Sequence, residues 1–550
     1  MDLKAVAHLG RFREITTTLV KYGFDDIVDR LDIPGRKYLE KIRVHTRHMT
    51  TWERIRKVLE ELGPTFIKCG QILSQRADLL PRELLEELVK LQDDVPPEDF
   101  PEMKKVLEKN FERPLDQIFS EIEEIPIAAA SLAQVHRAVL RENDREVAIK
   151  IQRPGITETI KMDMDILERI AVRLDGRVES LKVYNLPQLV QRIRKLMLQE
   201  LNFIQEMRNM QVVRTRLNPD EGIVIPDVYP QYCNKSLITM ELSRGSKMKD
   251  VRIHELKNRA TMAKKGVSFS MSHALEYGFF HADPHPGNIL IDEDENMILL
   301  DWGMVGRLTD RVRYELVDLI SAVVDNDVEE VTEALISFTT GRENVNRNMV
   351  QNEVLEIISN FTSMPLKEIN LGQVLMDLTS ILRSQGRILT TDLSIMIKSL
   401  ITAEGTARML YPDLDVIREA EPIVRRISKE RYRPQNLFKG LQKNIRYLYK
   451  FQHQLPRQVM DIITQLDRGD LAIRFQHQNL EGLQGTLEKI INRLVIGIII
   501  GTMFLGSGLI IMAGTGPLIW GYPALGLFGY IIALILGLRL IFSMIRSRKH

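Results

Sequence analysis

Three polar residues in the second half of the chain have the types and spacing of a magnesium-phosphate site. Asp283 and Asn288 stand five residues apart in H-A-D-P-H-P-G-N, and Asp301 follows thirteen residues later in L-L-D-W-G. Carboxylate and amide oxygens are the hard ligands that Mg²⁺ takes in proteins, usually together with phosphate oxygens. We therefore expect Asn288 and Asp301 to bind Mg²⁺, and Asp283 to orient a nucleophile beside the phosphate.

A lysine on a predicted strand supplies the cation that such a site needs. Lys150 lies in V-A-I-K-I-Q, upstream of the aspartates, which is the order in which protein kinases carry their phosphate-binding lysine and catalytic loop. A helix carboxylate must hold this lysine, and Q-E-L-N-F-I-Q-E-M-R-N offers Glu200 and Glu206. On one continuous helix these two would point about 120° apart, so we expect them to pair with two different cations.

Two other interpretations of these residues stay open at this point. His281, Asp283 and His285 form an H-x-D-x-H pattern that could hold zinc or iron in a hydrolase. That site would leave Lys150 and Asp301 without a role, so we favour the kinase-like site. Lys150 taken by itself would be a charged residue that protects the edge of a strand.

The segments around the expected site differ from those of ordinary protein kinases. No G-x-G-x-x-G is present, and A-A-A-S-L-A-Q-V-H stands where glycines would let backbone amides approach phosphates, which predicts a stiffer loop. A helix begins near Thr309, which leaves no room after Asp301 for an activation loop, and His285 occupies the place of the catalytic-loop lysine. We therefore do not expect phosphorylation of protein substrates.

Periodicity along the chain predicts an α+β fold with two lobes, like those of protein kinases. Helical spacing dominates residues 1–121, strands and turns alternate with helices over 122–245, and helices dominate again over 246–424. We expect a helical N-terminal extension, an N-lobe and a helical C-lobe with these limits. Lys68 and Gln71, three residues apart, share one face of an extension helix.

Two apolar runs near the C-terminus have the length of membrane spans. Residues 494–514 carry no charge and would form about 31 Å of helix, and residues 522–545 carry one charge, Arg539. A short turn with Trp520 and Tyr522 joins them, as an interfacial aromatic pair would. Because basic residues flank the two runs and none lies in the turn, we expect a transmembrane helical hairpin in the cell membrane, with the catalytic domain cytoplasmic.

Charge is segregated in the expected juxtamembrane region, residues 425–493. Residues 425–457 contain ten Lys or Arg against one acidic residue, with aromatic residues between them, whereas the whole chain carries 75 basic and 74 acidic residues. This balance gives no chain-wide field for nucleic acid, so we expect the basic stretch to contact anionic lipid headgroups. RNA binding or a merely solvated basic face would use the same residues. The two cysteines form neither a disulfide framework nor a zinc spacing.

At these residues the sequence resembles the UbiB family, also called the AarF-domain or ABC1-like atypical kinases, over roughly residues 30–420. The family's K-x-G-Q motif matches Lys68, Gly70 and Gln71. Two positions differ from the residues common in the family, with Asn202 in place of an aspartate and Trp302 in place of a phenylalanine. The family's alanine-rich nucleotide loop matches Ala128, Ala129, Ala130 and Ser131.

The resemblance also implies roles for single residues. It pairs Lys150 with Glu206 at the nucleotide, and it pairs Lys68 with Glu200 while the extension folds over the active site. Gln71 belongs to the same closing motif. By analogy with kinases, Glu241 and Leu242 would lie at the adenine edge.

The family's known activities set the expected function. The resemblance implies ATP and Mg²⁺ as cofactors, and ATP hydrolysis or phosphotransfer to a small or lipid molecule, in isoprenoid quinone biosynthesis or lipid homeostasis at a membrane. The implied partners are an isoprenoid or quinone-like lipid and a complex of biosynthetic enzymes, and a homodimer is left open. A second function also stays open, that of a nucleotide-binding, pseudokinase-like scaffold that organises membrane enzymes without productive transfer.

Overall fold

In a computed structural model, the chain divides into two units, Met1–Gly440 and Leu441–His550. Residues 432–479, which make up most of the basic stretch 425–457 and most of the expected juxtamembrane region 425–493, lie outside the described residues, so their contact with lipid stays a prediction. The structure describes residues 3–29, 49–74, 80–91, 95–111, 113–177, 185–338, 346–362, 370–384, 390–431, 480–514 and 516–546.

Helices form the N-terminal extension, as the apolar spacing predicts. Thr50 and Glu53 exchange the hydrogen bonds of a capping box at the start of the third helix, and Gly63, with a φ of 89°, ends it so that Pro64 can begin the next. The helices are α1 (Leu3–Lys21), α2 (Asp25–Asp29), α3 (Thr51–Leu62), α4 (Pro64–Ser74), α5 (Arg82–Leu88) and α6 (Phe100–Phe111).

An antiparallel sheet follows the extension and carries Lys150. Val147, Ile149 and Ile151 are fully buried on one face of its central strand and pack on α6, so the alternation of the strand places Lys150 on the other face. The sheet has the order β1-β3-β4-β6, with β2 paired to β3. Its strands are β1 (Phe119–Ile122), β2 (Ala128–Ala129), β3 (Ala133–Leu140), β4 (Glu146–Gln152) and β6 (Leu237–Glu241).

Between β4 and β6 the chain forms three helices, α7 (Ile156–Asp175), α8 (Leu186–Glu200) and α9 (Phe203–Arg214). The helical geometry stops at Leu201 and Asn202, where Asn202 has φ −102° and ψ 85°. Glu200 and Glu206 therefore lie on different helices. The angle of about 120°, which assumes one continuous helix, is wrong because this break, and not helical rotation, sets their directions.

Short strand pairs in the C-lobe hold the loops that carry the aspartates. β8 (Phe279–His281) pairs with β11 (Val305–Arg307), and β9 (Ile289–Ile291) pairs with β10 (Met297–Leu299). The loop with Asp283 and Asn288 therefore joins β8 to β9, and D-W-G joins β10 to β11. The second sheet has the order β5-β10-β9-β7, with β5 (Ile223–Val224) and β7 (Ser246–Lys247) at its ends.

Helices pack behind these strands around a large apolar core. Buried Glu404 links two of them, because its carboxylate accepts the N–H of Gly372 at 2.9 Å and pairs with Arg408 at 3.0 Å. The hydrogen bond to Gly372 thereby fixes the two helices to each other. The C-lobe helices are α10 (Arg259–Leu275), α11 (Asp310–Val324), α12 (Val328–Ser337), α13 (Arg347–Thr362), α14 (Leu371–Ser384), α15 (Thr391–Leu410) and α16 (Val416–Arg431).

The C-terminal unit contains a pair of apolar helices, α17 (Leu480–Ala513) and α18 (Ala524–Arg546). Strands β12 (Leu518–Ile519) and β13 (Tyr522–Pro523) form the turn, and the rings of Phe504 and Tyr530 meet at 5.0 Å between the helices. Among the described residues, Leu494–Ala513 is the one helical segment long and apolar enough to cross a membrane, whereas Ala524–Leu540 is a shorter apolar helix. A membrane crossing by the second helix therefore stays a prediction.

Candidate active site

Lys150 lies between two carboxylates. Its Nζ donates to both carboxylate oxygens of Glu206, at 2.8 and 3.0 Å, and to Oδ1 of Asp301 at 3.2 Å. β4 positions the lysine, α9 positions Glu206, and the turn after β10 positions Asp301. Glu206 is 2% exposed and Asp301 is 41% exposed, so the open side of this cluster is the side of Asp301.

The charges in this cluster shift one another's pKa values. Burial alone would lower the pKa of Lys150, but Asp301 and Glu206 raise it above its ordinary value. Loss of water would raise the pKa of Asp301, yet the positive charges of Lys150 and Lys68 hold it well below its usual range. Burial raises the pKa of Glu206. Asp301 is therefore ionised at neutral pH, as a magnesium ligand must be.

A second ion pair joins the extension to the site, between Lys68 of α4 and Glu200 at the end of α8. Gly70 lets α4 approach its neighbours, since a Cβ at this position would collide with the side chain of Leu91 and lie 3.0 Å from Leu59. Gln71 donates to the Leu91 carbonyl oxygen at 3.3 Å, so this hydrogen bond lies within the extension. The two carboxylates, Glu200 and Glu206, thus form ion pairs with two different lysines, Lys68 and Lys150.

The two ion pairs meet around Gly303 of D-W-G. A Cβ at this glycine would lie 3.2 Å from Oδ1 of Asp301 and 3.9 Å from both Glu200 Cγ and Glu206 Oε2. The N–H of Gly303 donates to Asp301 Oδ1 at 3.2 Å. A Cβ at this position would crowd the carboxylate of Asp301 and would reach van der Waals contact with the side chains of Glu200 and Glu206.

Hydrogen bonds fix the tip of the alanine-rich loop. Ala128 and Ala129 form β2, the N–H of Ala130 donates to Ala133 at 2.8 Å, and Ser131 is 1% exposed. Arg153 donates through Nε to the carbonyl oxygen of Ala130 at 2.8 Å. Its guanidinium also binds the carbonyl oxygens of Val95 and Pro96 and the carboxylate of Glu98. This network gives a physical basis for the stiff loop that the sequence predicts.

Hydrogen bonds within the catalytic loop, and others from helix α15, fix the backbone of this loop. His281 Nδ1 accepts the N–H of Asp283 at 3.1 Å, and the Asn288 carbonyl oxygen accepts the N–H of Leu300 at 2.9 Å, next to Asp301. Helix α15 donates two side-chain hydrogen bonds to the loop backbone. Ser399 binds the carbonyl oxygen of His281 at 2.6 Å, and Thr406 binds that of Pro284 at 3.1 Å.

Asp301 has a left-handed backbone, with a φ of 50°, which costs a non-glycine residue energy and must be held by its surroundings. Trp302 supplies part of that hold, since it is fully buried and its ring lies 4.8 Å from that of His281. Its carbonyl oxygen accepts the amide of buried Asn209 at 2.9 Å. The tryptophan thus packs D-W-G against both the catalytic loop and α9.

The expected adenine edge lies at the end of β6. Glu241 pairs in register with Val147, and its N–H donates to Asp227 at 2.7 Å. The N–H of Leu242 donates to the carbonyl oxygen of Glu146 at 3.3 Å. Contact of either residue with adenine stays a prediction.

The donor set fits a magnesium ion shared with a nucleotide better than a zinc or iron site. Mg²⁺ bound to phosphates needs only one or two protein oxygens, which Asn288 and Asp301 would provide. In the described residues no group of three or more His, Cys, Asp or Glu is arranged to hold a metal. His281 and His285 use their Nδ1 atoms to accept N–H groups of their own loop.

Sequence reasoning missed the residues that support the site from a distance. Arg153, Asn209, Ser399 and Thr406 touch the alanine-rich loop, D-W-G or the catalytic loop. The charge of Asp283 also acts on Lys398 of α15. For Ser399, Thr406 and Lys398 the available signal was the placement of hydroxyl and basic residues among the apolar positions of α15.

Comparisons with known proteins agree with this architecture. A family model described as the ABC1 atypical kinase-like domain matches residues 90–335. Models described as the UbiB helical domain and the ABC1/UbiB kinase-like C-terminal domain match residues 354–415 and 478–546. The kinase-like fold that the motifs predict is confirmed at this level.

Curated relatives span most of the chain. An uncharacterized protein in the hydrogenase 1 5' region of Clostridium pasteurianum is 32% identical, over 98% of this chain and 99% of that protein. A probable protein kinase UbiB of Erwinia tasmaniensis is 30% identical, over 83% of this chain and 86% of its own. A solved Mycobacterium tuberculosis protein in complex with erythromycin is 22% identical, with a TM-score of 0.40, over 65% of this chain and 94% of its own. On the family models and the curated relatives, this chain belongs to the UbiB family of ABC1 atypical kinase-like proteins.

Proposed function

We propose that this protein is a Mg²⁺-dependent atypical kinase or ATPase that uses ATP. The observation that carries the proposal is the position of Lys150, shared between buried Glu206 and half-exposed Asp301. A lysine held in this way by a helix carboxylate, beside a carboxylate that can bind metal, is the arrangement that phosphoryl-transfer sites need.

In the proposed reaction each residue has one task. Asn288 and Asp301 would hold Mg²⁺, which neutralises charge on the phosphates, and Lys150 would bind the α- and β-phosphates. Asp283 would accept the proton of a water or alcohol as its oxygen bonds to the terminal phosphorus. The bond from that phosphorus to the bridging oxygen breaks, and ADP leaves with this oxygen.

The phosphate acceptor is proposed to be a small or lipid molecule. Helix α4 comes to the site through the ion pair of Lys68 with Glu200, and only seven residues separate Asp301 from Thr309, the N-cap of α11. Both features favour a small acceptor over a folded protein. Lys68, Gln71 and Glu200 would close the site over it.

The setting of the reaction is proposed to be a membrane surface. Leu494–Ala513 is long and apolar enough to span a bilayer, and α18 packs against the helix that contains it. We propose a multi-pass hairpin in the cell membrane with a cytoplasmic catalytic unit, and anionic headgroups bound by residues 425–457. The proposed role is in isoprenoid quinone or lipid biosynthesis or homeostasis, with a quinone-like lipid and biosynthetic enzymes as partners.

The scaffold remains as the second candidate function. The ion pair of Lys150 with Asp301 favours it, because this contact occupies the carboxylate that should bind Mg²⁺. A scaffold would bind ATP tightly and would not convert it.

One experiment separates the two candidates. ATP turnover by the full-length protein is measured in Mg²⁺, with and without vesicles of anionic phospholipid, beside Asp301→Asn. Turnover that rises with vesicles, and that falls more than about a hundredfold in the variant, supports the membrane enzyme. Tight ATP binding without turnover in either condition favours the scaffold.

A further inference from the structure

Lys398 of α15 is a cation at the catalytic loop that the reaction proposed above does not yet use. Its neighbour Ser399 binds the carbonyl oxygen of His281, so α15 is anchored directly behind the loop. Nζ of Lys398 lies 3.4 Å from the carbonyl oxygen and 3.5 Å from Oγ of Ser74, the last residue of α4. The lysine therefore stands where the extension helix, the C-lobe and the catalytic loop come together.

The surroundings of Lys398 differ from those of the other two lysines of the site. Lys150 has Glu206 and Asp301 as partners, and Lys68 has Glu200. In the described part of the chain, no carboxylate forms an ion pair with Lys398, whose hydrogen bonds to Ser74 are long. Burial lowers its pKa, although the charge of Asp283 opposes that shift.

A partly buried ammonium group without a directly paired carboxylate loses hydration that no ion pair replaces, so the fold has to gain something from keeping it. The catalytic loop lacks its own cation, because His285 stands two residues after Asp283, where phosphoryl-transfer enzymes of the kinase type carry a lysine. The imidazole of His285 is turned to its own loop, where Nδ1 accepts the N–H of Gly287 at 3.1 Å. The loop segment 282–288 therefore contains no lysine or arginine beside Asp283.

We infer that Lys398 supplies this missing charge and binds the terminal phosphate of ATP as it is transferred past Asp283. The inference rests on the proposed nucleotide function and adds a residue from the helical C-lobe to it. Lys398 would neutralise charge on the moving phosphoryl group, while Lys150 holds the phosphates that stay with ADP. The opposing explanation is that Lys398 only fastens α4 to the C-lobe through Ser74.

The test measures ATP turnover and the binding of MgATP and MgADP, by calorimetry, on the full-length protein. Lys398→Met should lower kcat about a hundredfold and weaken MgATP binding about tenfold, with MgADP binding unchanged within about twofold. Lys398→Arg should restore most of the turnover, because it keeps the charge. Lys264→Met is the matched control, since Lys264 is an exposed lysine of α10 paired with Glu419 at 3.2 Å, and it should behave as wild type.

Ser74→Ala distinguishes charge from fastening. It removes one of the hydrogen bonds of Lys398 and leaves its charge, so kcat and the preference for ATP over ADP should stay close to wild type. If Ser74→Ala reproduces Lys398→Met, or if Lys398→Met weakens MgATP and MgADP equally, the phosphate role is wrong. Wild-type protein that binds neither nucleotide would instead contradict the proposed function itself.

Discussion

Replacing Glu206 by glutamine removes the charge that holds Lys150 and keeps the shape of the side chain. The carboxylate is 2% exposed, and both of its oxygens accept from Lys150, at 2.8 and 3.0 Å. In Glu206→Gln the amide oxygen can still accept one of these hydrogen bonds. The one remaining charged partner of the lysine at this cluster is Asp301, at 3.2 Å.

The size of the effect follows from what remains around Lys150. Breaking a buried ion pair costs about 3–5 kcal/mol when the surviving charge has no partner. Here Asp301 still pairs with the lysine and is 41% exposed, so we expect the free energy of unfolding to fall by about 1–2 kcal/mol. The larger effect is on catalysis. Lys150 now competes with Mg²⁺ for Asp301, so turnover should fall about a hundredfold and half-saturation should need more Mg²⁺.

Two measurements check this prediction, namely thermal unfolding and a Mg²⁺ titration of ATP turnover. Glu102→Gln is the matched control, because Glu102 is exposed on α6 and pairs with exposed Lys105 at 2.6 Å, and its loss should change neither quantity appreciably. If Glu206→Gln keeps the wild-type Mg²⁺ requirement while turnover falls, the idea that Glu206 weakens the competition of Lys150 with Mg²⁺ for Asp301 is refuted.

Further predictions concern the packing of the extension, the pH dependence of stability and the membrane. Gly70→Ala should lower the free energy of unfolding by about 1–3 kcal/mol, because the new Cβ meets the side chains of Leu59 and Leu91. Gly10→Ala should raise the free energy of unfolding by about 0.5–1 kcal/mol, because the space around Gly10 is open. Denaturant unfolding measures both changes. Burial lowers the pKa of His273 from 6.5 to about 4, so between these pH values the unfolded chain takes up a proton that the folded chain does not. Up to about 3 kcal/mol of stability is lost in this way as the pH falls. His136 and His281, whose pKa values burial also lowers, add to the same loss, so His273→Gln should reduce the slope in unfolding curves measured from pH 7 to 4 without abolishing it. A chain ending at Gly440 loses the apolar helices and keeps only part of the basic stretch 425–457, so it should sediment with anionic vesicles much less than the full chain. Sedimentation equal to that of the full chain would contradict the membrane role of the C-terminal unit.

The sequence predicts those parts of the site whose residues lie close together along the chain. Asp283, Asn288 and Asp301 stand within nineteen residues, and the strand pairs between them leave few alternatives for their placement. The pair of Lys150 with Glu206 spans 56 residues. Chemistry predicts only that a phosphate-binding lysine needs a helix carboxylate, and the family resemblance is what implies Glu206 and not Glu200. The α+β architecture follows from the change of periodicity near residue 120.

Other features depend on tertiary contacts that no local pattern records. Ser399 binds the carbonyl oxygen of His281, 118 residues away in sequence, and Thr406 binds that of Pro284, 122 residues away. The sequence does not predict these hydrogen bonds, because a hydroxyl on a helix can equally well bond within its own turn. The break at Leu201 and Asn202 has no proline or glycine to announce it. It is stabilised instead by contacts with other segments, including the hydrogen bond from Gln152 Nε2 to the carbonyl oxygen of Leu201.

Release of the terminal phosphate from MgATP by the full-length protein tests the central claim most directly. It is measured for wild type, for Asp301→Asn, and for Asp294→Asn, which makes the same change in an exposed hairpin turn outside the site. We expect Mg²⁺-dependent release in wild type and Asp294→Asn, and a loss of more than about a hundredfold in Asp301→Asn. Equal release by wild type and Asp301→Asn would contradict the assignment of this carboxylate, and with it the account of the site.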